Sequence, residues 1–155
     1  MKRNITIEYE EFNDIQMLSN EDQKLVLAAR QTLLYSYSPY SNFRVGAVVL
    51  LDDGTIIQGA NQENVSYPSG LCAERVALFT ACCDAKQRKV AKLVIAAEKN
   101  EQYVEVCPCG SCLQVMIDTE KRYKKELEVI IPLPQGRFAK IKGMKNFLPF
   151  AFKSF

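Results

Sequence analysis

The stretch "FRVGAVVLLDDGTIIQGAN", residues 43–61, holds two runs rich in β-branched and aliphatic residues around Asp52-Asp53-Gly54. Asp-Gly between two such runs is hairpin chemistry, because glycine supplies the positive φ that a tight reversal needs. Upstream, "SNEDQKLVLAARQTLLYSY" begins with Ser19 or Asn20 as a helix cap and acids in the first turn. Apolar residues then recur at Leu25, Val26, Ala29, Leu33 and Leu34, which predicts an amphipathic helix. "SPYSN" joins this helix to the hairpin as a turn.

Downstream, "AERVALFTACCDA" returns to helical composition, "AKLVIAAE" is a short buried strand, "GSCLQVMIDTEKRY" a third helix and "LEVIIPLP" a further strand. The tail "GRFAKIKGMKNFLPFAFKSF" predicts a short strand, a short helix and an aromatic-rich end. Helices alternating with strands after an initial hairpin predict an α/β fold, a three-layer α/β/α domain around a mixed sheet of about five strands. The expected organisation is an N-terminal extension over residues 1–18 and a single domain over 19–155, the usual size for one core.

Composition narrows the function classes. A chain of 155 residues with a formal charge of +2 carries no electrostatic signature for nucleic acid or an anionic membrane surface. "KRYKK" at 121–125 is the one basic run, read as solvated cations near a helix C-terminus. The acidic residues in "MKRNITIEYEEF" do not suit a secretory leader, and Val45 to Leu51 is too short an apolar run for a bilayer. A cytoplasmic location is expected, and there six cysteines point to metal or catalytic use rather than disulfides. No histidine is present, so a zinc site must be built from thiolates and carboxylates.

The cysteines fall in "GLCAER" (70–75) and "CPCGSC" (107–112). Cys109 and Cys112 sit where a helix begins, a place that favours thiolate, and Cys72 likewise leads into a helix. Two helix N-termini from distant parts of the chain can therefore meet at one cation. Three thiolates on Zn2+ leave a net negative charge, which the helix ends and Arg75 offset. A fourth tetrahedral position then stays open for water, and Glu74 has a use as the carboxylate that takes and passes on its proton. Other readings remain open on these residues alone. Cys107 can close a four-thiolate site, Cys109 and Cys112 can form a dithiol pair, and Glu74 can be a first-turn dipole partner. Cys82 and Cys83 read as packing residues.

"CAER" at 72–75 followed by "PCGSC" at 108–112 resembles the zinc signature of the cytidine deaminases, small single-domain type. "SPYSNFRVGA" (38–47), "NQENVSYPSGLCAER" (61–75) and "FLPFAF" (147–152) are similar to further segments of that family, in the same order. The resemblance implies zinc held by Cys72, Cys109 and Cys112, with Glu74 protonating the ring at N3 while C4 is attacked. It implies that the Ala73 backbone binds the pyrimidine, and that Asn61 and Glu63 bond the sugar. It also implies that Phe43 packs on the base and that Phe152 comes from a neighbouring subunit of a homotetramer. On the residues alone, Phe43 reads as a core strand residue and Phe152 as a tail anchor. The implied substrate is a free nucleoside, cytidine or deoxycytidine, converted to uridine or deoxyuridine. The chain departs from the family pattern at Leu113 (usually arginine), Cys107 (commonly serine) and Phe150 (commonly small).

Overall fold

A computed structural model describes residues 1–83 and 88–153 of the chain. Its elements run β1 (Glu10–Phe12), α1 (Asn20–Thr32), β2 (Phe43–Leu51), β3 (Ile56–Ala60), α2 (Ala73–Cys82), β4 (Val90–Lys99), β5 (Gln102–Val104), α3 (Gly110–Tyr123), β6 (Glu128–Pro132) and β7 (Phe138–Lys142). The sheet order is β1-β7-β6-β4-β2-β3, with β5 paired to the end of β4. The β4–β6 pair is parallel and the other pairs are antiparallel, so the sheet is mixed as expected.

Strand periodicity builds the layers, because alternate side chains point to opposite faces. Along β2, Val45, Ala47, Val49 and Leu51 face one side and Val48 and Leu50 the other. Leu93, Ile95 and Ala97 of β4 join the first set, and Val94 and Ala96 join the second. The first face packs against α2 and α3 through Ala77, Leu78, Ala81, Cys112 and Met116. The second packs against α1 through Leu25, Val26 and Ala29. The result is the three-layer α/β/α arrangement.

The hairpin turns where Asp52-Asp53-Gly54 indicated, with Gly54 at φ +86 and its N–H donating to the Leu51 carbonyl at 3.0 Å. Ser19, rather than Asn20, caps α1 by accepting from the Asp22 N–H at 3.2 Å. The helix stops at Thr32 and tightens into a 3-10 turn over Leu33–Tyr35, which rotates Leu34 out to 79 % exposure. Lys121 and Arg122 occupy the last turn of α3, and Lys124 ends it in the left-handed region.

The sheet has seven strands where about five were expected. The two additions, β1 and β5, are three residues long, too short to show a period-2 pattern, and exist because a neighbouring strand offers them a ladder. The extension over residues 1–18 is thus partly ordered: β1 pairs with β7, and the Glu8 N–H donates to Asn146 Oδ1 at 3.2 Å. A second unanticipated feature ties α1 to the sheet. Asp22 is fully buried, and its two carboxylate oxygens accept from Lys92 Nζ and Lys140 Nζ, each at 2.6 Å.

Candidate active site

Both cysteine segments sit at helix starts. Cys72 is the N-cap of α2 and Cys109 the N-cap of α3, each with extended backbone, and Cys112 follows in the first turn of α3. Neither cysteine side chain caps its own helix, so both thiols are turned toward each other. Their Sγ atoms lie 3.8 Å apart, Cys109 and Cys112 lie 3.5 Å apart, and the three sulfurs fall within 4.8 Å of one another. Tetrahedral zinc with Zn–S bonds of about 2.3 Å requires S···S separations of about 3.8 Å. The donor set and its spacing therefore fit zinc.

Charge around the sulfurs points the same way. The Cys72 thiol is brought down to about 5 by hydrogen bonding with Cys112, against the cost of burial and with help from Arg75 and Cys109. The Cys112 thiol is pushed up by Cys72, by its own burial and by Glu74. Ionising all three sulfurs sets like charges side by side, which a bound cation would offset. Arg75 Nη2 lies 3.7 Å from Cys72 Sγ, and its buried Nε finds no hydrogen-bond partner among the described residues. Cys107 is exposed and lies outside the group of three, so the four-thiolate alternative is not formed. Leu113 packs against the core beneath α2 and α3, and Arg75 places a cation beside the thiols.

Glu74, in the first turn of α2, is only 3 % exposed. Burial pushes its carboxyl up from the ordinary range, and the neighbouring Cys72 adds to the effect. Yet it lines an open cleft of about 720 Å³ together with Cys72, Arg75, Cys109, Phe43, Asn61 and Glu63. Ala73 and Cys112 are buried behind that lining, Ala73 as the first residue of α2.

The polar residues of the cleft are held by the scaffold. Asn61 Oδ1 accepts from Ser36 Oγ at 2.5 Å and from the Val45 N–H at 2.8 Å, while its Nδ2 donates to the Phe43 carbonyl at 2.9 Å. This amide therefore braces the start of β2 and with it Phe43, a structural duty that sequence reasoning missed. Glu63 accepts from Ser41 Oγ at 2.5 Å, the Tyr40 N–H at 2.9 Å and the Ser41 N–H at 3.3 Å. Those donors hold its carboxyl below the usual range and so keep it ionised. Phe43 is half-buried, one edge on the core and one on the cleft.

Among the cleft residues not singled out from the sequence are two aromatics. Tyr40 and Tyr67 line the cleft with their rings edge to face, centroids 6.4 Å apart. The signal was present in "SPYSN" and "SYPSG", aromatics inside turn segments, where a ring has no strand or helix core to fill. Phe152 lies elsewhere: it is 59 % exposed, its carbonyl accepts from Gln114 Nε2 of α3 at 2.9 Å, and it does not line this cleft. Cys82, at the end of α2, packs with its Sγ 3.9 Å from the Tyr123 hydroxyl, and Cys83 is exposed.

A three-layer α/β/α domain that brings three cysteines from two helix starts around one point, with a buried carboxylate opening on a cleft, is a zinc-binding domain of the catalytic type. Residues 19–125 match the family profile described as the cytidine and deoxycytidylate deaminase zinc-binding region. The chain belongs to that family. It is 46 % identical over 96 residues to the cytidine deaminase of Halalkalibacterium halodurans, an alignment spanning 62 % of this chain and 70 % of that protein. Against the cytidine deaminase of Sporosarcina psychrophila the identity is 40 % over 96 residues, spanning 62 % and 68 %. The crystal structure of cytidine deaminase from Burkholderia pseudomallei superposes with a TM-score of 0.71 at 38 % identity, covering 83 % of this chain and 97 % of that one. That from Mycobacterium tuberculosis gives 0.61 at 32 % identity, covering 83 % and 94 %.

Proposed function

We propose that this protein hydrolytically deaminates free cytidine and deoxycytidine, giving uridine or deoxyuridine and ammonia. The observation that carries the reading is Glu74: a nearly buried carboxylate, open to the cleft, beside three converged cysteines. Cys72, Cys109 and Cys112 hold the zinc. When bound, zinc supplies Lewis-acid activation that brings the pKa of water to about 7.

Glu74 does the proton work. It takes a proton from the attacking water and delivers it to N3 of the pyrimidine as the oxygen bonds to C4. It then moves the second water proton to the exocyclic N4, the C4–N4 bond breaks, ammonia leaves and the oxygen stays as the carbonyl. A buried carboxyl suits both transfers because its charged form gains little from solvent. The N–H at Ala73, a first-turn donor that the helix itself does not use, suits the pyrimidine carbonyl. Phe43 packs on the base.

Asn61 and Glu63 take the sugar. A carboxylate has about four lone-pair sites, and Glu63 uses three on Ser41 and Tyr40, which leaves one for a hydroxyl. The second N–H of Asn61 Nδ2 serves the same end. Arg75 offsets thiolate charge. Phe152 belongs to the site of a neighbouring subunit in a homotetramer, which suits a ring that is exposed and outside its own cleft. Six free cysteines suit a reducing cytoplasm.

The test is ammonia release by the purified, zinc-loaded protein on both nucleosides. Turnover of at least one is expected, and inactivity on both refutes the proposal. Light scattering should give four subunits, and an active monomer would remove the shared site.

A further inference from the structure

The tail after β7 lies against α3. Leu148 and Ala151 turn inward and share a small cavity with Ile117, whereas the rings of Phe150 and Phe152 point outward at 87 % and 59 % exposure. Two α3 side chains hold its backbone: Gln114 Nε2 donates to the Phe152 carbonyl at 2.9 Å, and Lys121 Nζ donates to the Lys153 carbonyl at 3.1 Å. Gln114 and Lys121 are seven residues apart, two turns on one helix face, with Ile117 between them. Tails of this kind are otherwise poorly ordered unless tied down.

We propose that Gln114 and Lys121 are positioning residues that clamp the tail to α3, so that Phe152 projects as a pre-ordered aromatic wall for the substrate site of a neighbouring copy. This rests on the shared-site reading above. Apolar rings cost solvent exposure when held outward, and bonding their backbone from beneath keeps them out. A wall ordered in advance spares the substrate the loss of tail freedom on binding. The same α3 carries Cys109 and Cys112 at its start. One rigid element thus joins the metal thiols of one site to the aromatic contact of the next.

The experiment is steady-state kinetics on cytidine with zinc content measured in parallel. Gln114→Ala should raise KM about fivefold, the worth of one net hydrogen bond, with kcat and zinc stoichiometry unchanged. Gln114→Lys keeps an N–H donor and should restore KM, while Gln114→Met should not. In a Phe152→Ala background, Gln114→Ala should add nothing, because both act through the same ring. Co-expressing Gln114→Ala with Glu74→Gln subunits should return near-normal KM at sites that combine an intact Glu74 with a neighbour's clamped tail.

The outcomes separate. An unchanged KM in Phe152→Ala overturns the shared-site reading and this proposal with it. A raised KM in Phe152→Ala with none in Gln114→Ala overturns the clamp alone. A Gln114→Ala effect that adds fully to that of Phe152→Ala, or that Gln114→Lys fails to rescue, marks a merely structural glutamine. Absence of recovery in the mixed subunits assigns the tail to its own chain.

Discussion

Replacing Gly59 with alanine tests whether close packing of α2 on β3 sets the active site. Gly59 faces α2, and a Cβ built there would meet the Ala77 N–H, with the Ala73 carbonyl oxygen at 2.6 Å and Ala77 Cα at 2.9 Å. Ordinary contact is about 3.5 Å, so α2 must lift by about 1 Å to clear the Ala77 N–H. All three atoms are helix backbone, which has no rotamer to give. The helix cannot lift without carrying Ala73, Glu74 and the N-cap Cys72 with it. Overpacking of this kind costs about 1–3 kcal/mol of stability, and a misplacement of about 1 Å at reacting groups costs about 100-fold in rate. The assay is kcat/KM on cytidine, zinc affinity by chelator competition and urea unfolding. Gly46→Ala is the comparator. Its Cβ would strike the Ala29 carbonyl and lie 3.0 Å from the Leu33 N–H, on the α1 side of the sheet. It should lose similar stability while the folded protein keeps its zinc affinity and kcat/KM. If Gly59→Ala retains both within twofold, or if Gly46→Ala damages them equally, the close approach of α2 does not govern the site.

Glu74→Gln should lower kcat by about 100-fold or more while zinc remains bound, and undiminished turnover with zinc present would mean another group carries the proton. Asp22→Asn should cost about 3–5 kcal/mol near neutral pH, since Lys140 loses its carboxylate while Lys92 retains Glu21 and Glu128. Burial raises the Asp22 carboxyl, but hydrogen bonds from Lys140, Lys92 and Ser19 outweigh it and leave the folded value below the ordinary range. The stabilisation is therefore complete above about pH 5 and fades as pH falls through the folded value, so urea midpoints of wild type and variant should converge in acid; parallel curves would contradict this. Stripping zinc with a strong chelator should lower Tm and leave the apoprotein with three titratable thiols in the cluster, and an unchanged Tm would show that the metal contributes nothing to holding α2 against α3.

Local pattern was legible where its physical cause is local. The alternation of Val45, Ala47 and Val49 against Val48 and Leu50 belongs to any half-buried strand, and Gly54 after two aspartates belongs to a turn. The cap at Ser19 needs only its own first turn. Leu34 was misplaced because the last apolar position of a helical period is inward only if the helix continues, and here it tightens at Thr32. β1 and β5 left no mark in the sequence, since a three-residue strand owes its existence to the neighbour that pairs with it. Asn61 drew notice as a ligand for sugar, whereas its bonds to Ser36, Val45 and Phe43 depend on three separate segments meeting.

By itself the sequence determined the ingredients: a chain without histidine, thiols at two helix starts, a carboxylate two residues past the first thiol, and helices alternating with strands around a hairpin. Those follow from residue type and short-range spacing. Tertiary structure alone decided that sulfurs thirty-seven residues apart lie 3.8 Å from each other, that Glu74 is buried yet opens on the cleft, and that Phe152 lies outside the lining of that cleft. Distance through space and loss of solvent depend on which distant elements pack together, and that is settled by the sheet between α1 and the α2–α3 pair rather than by any one segment.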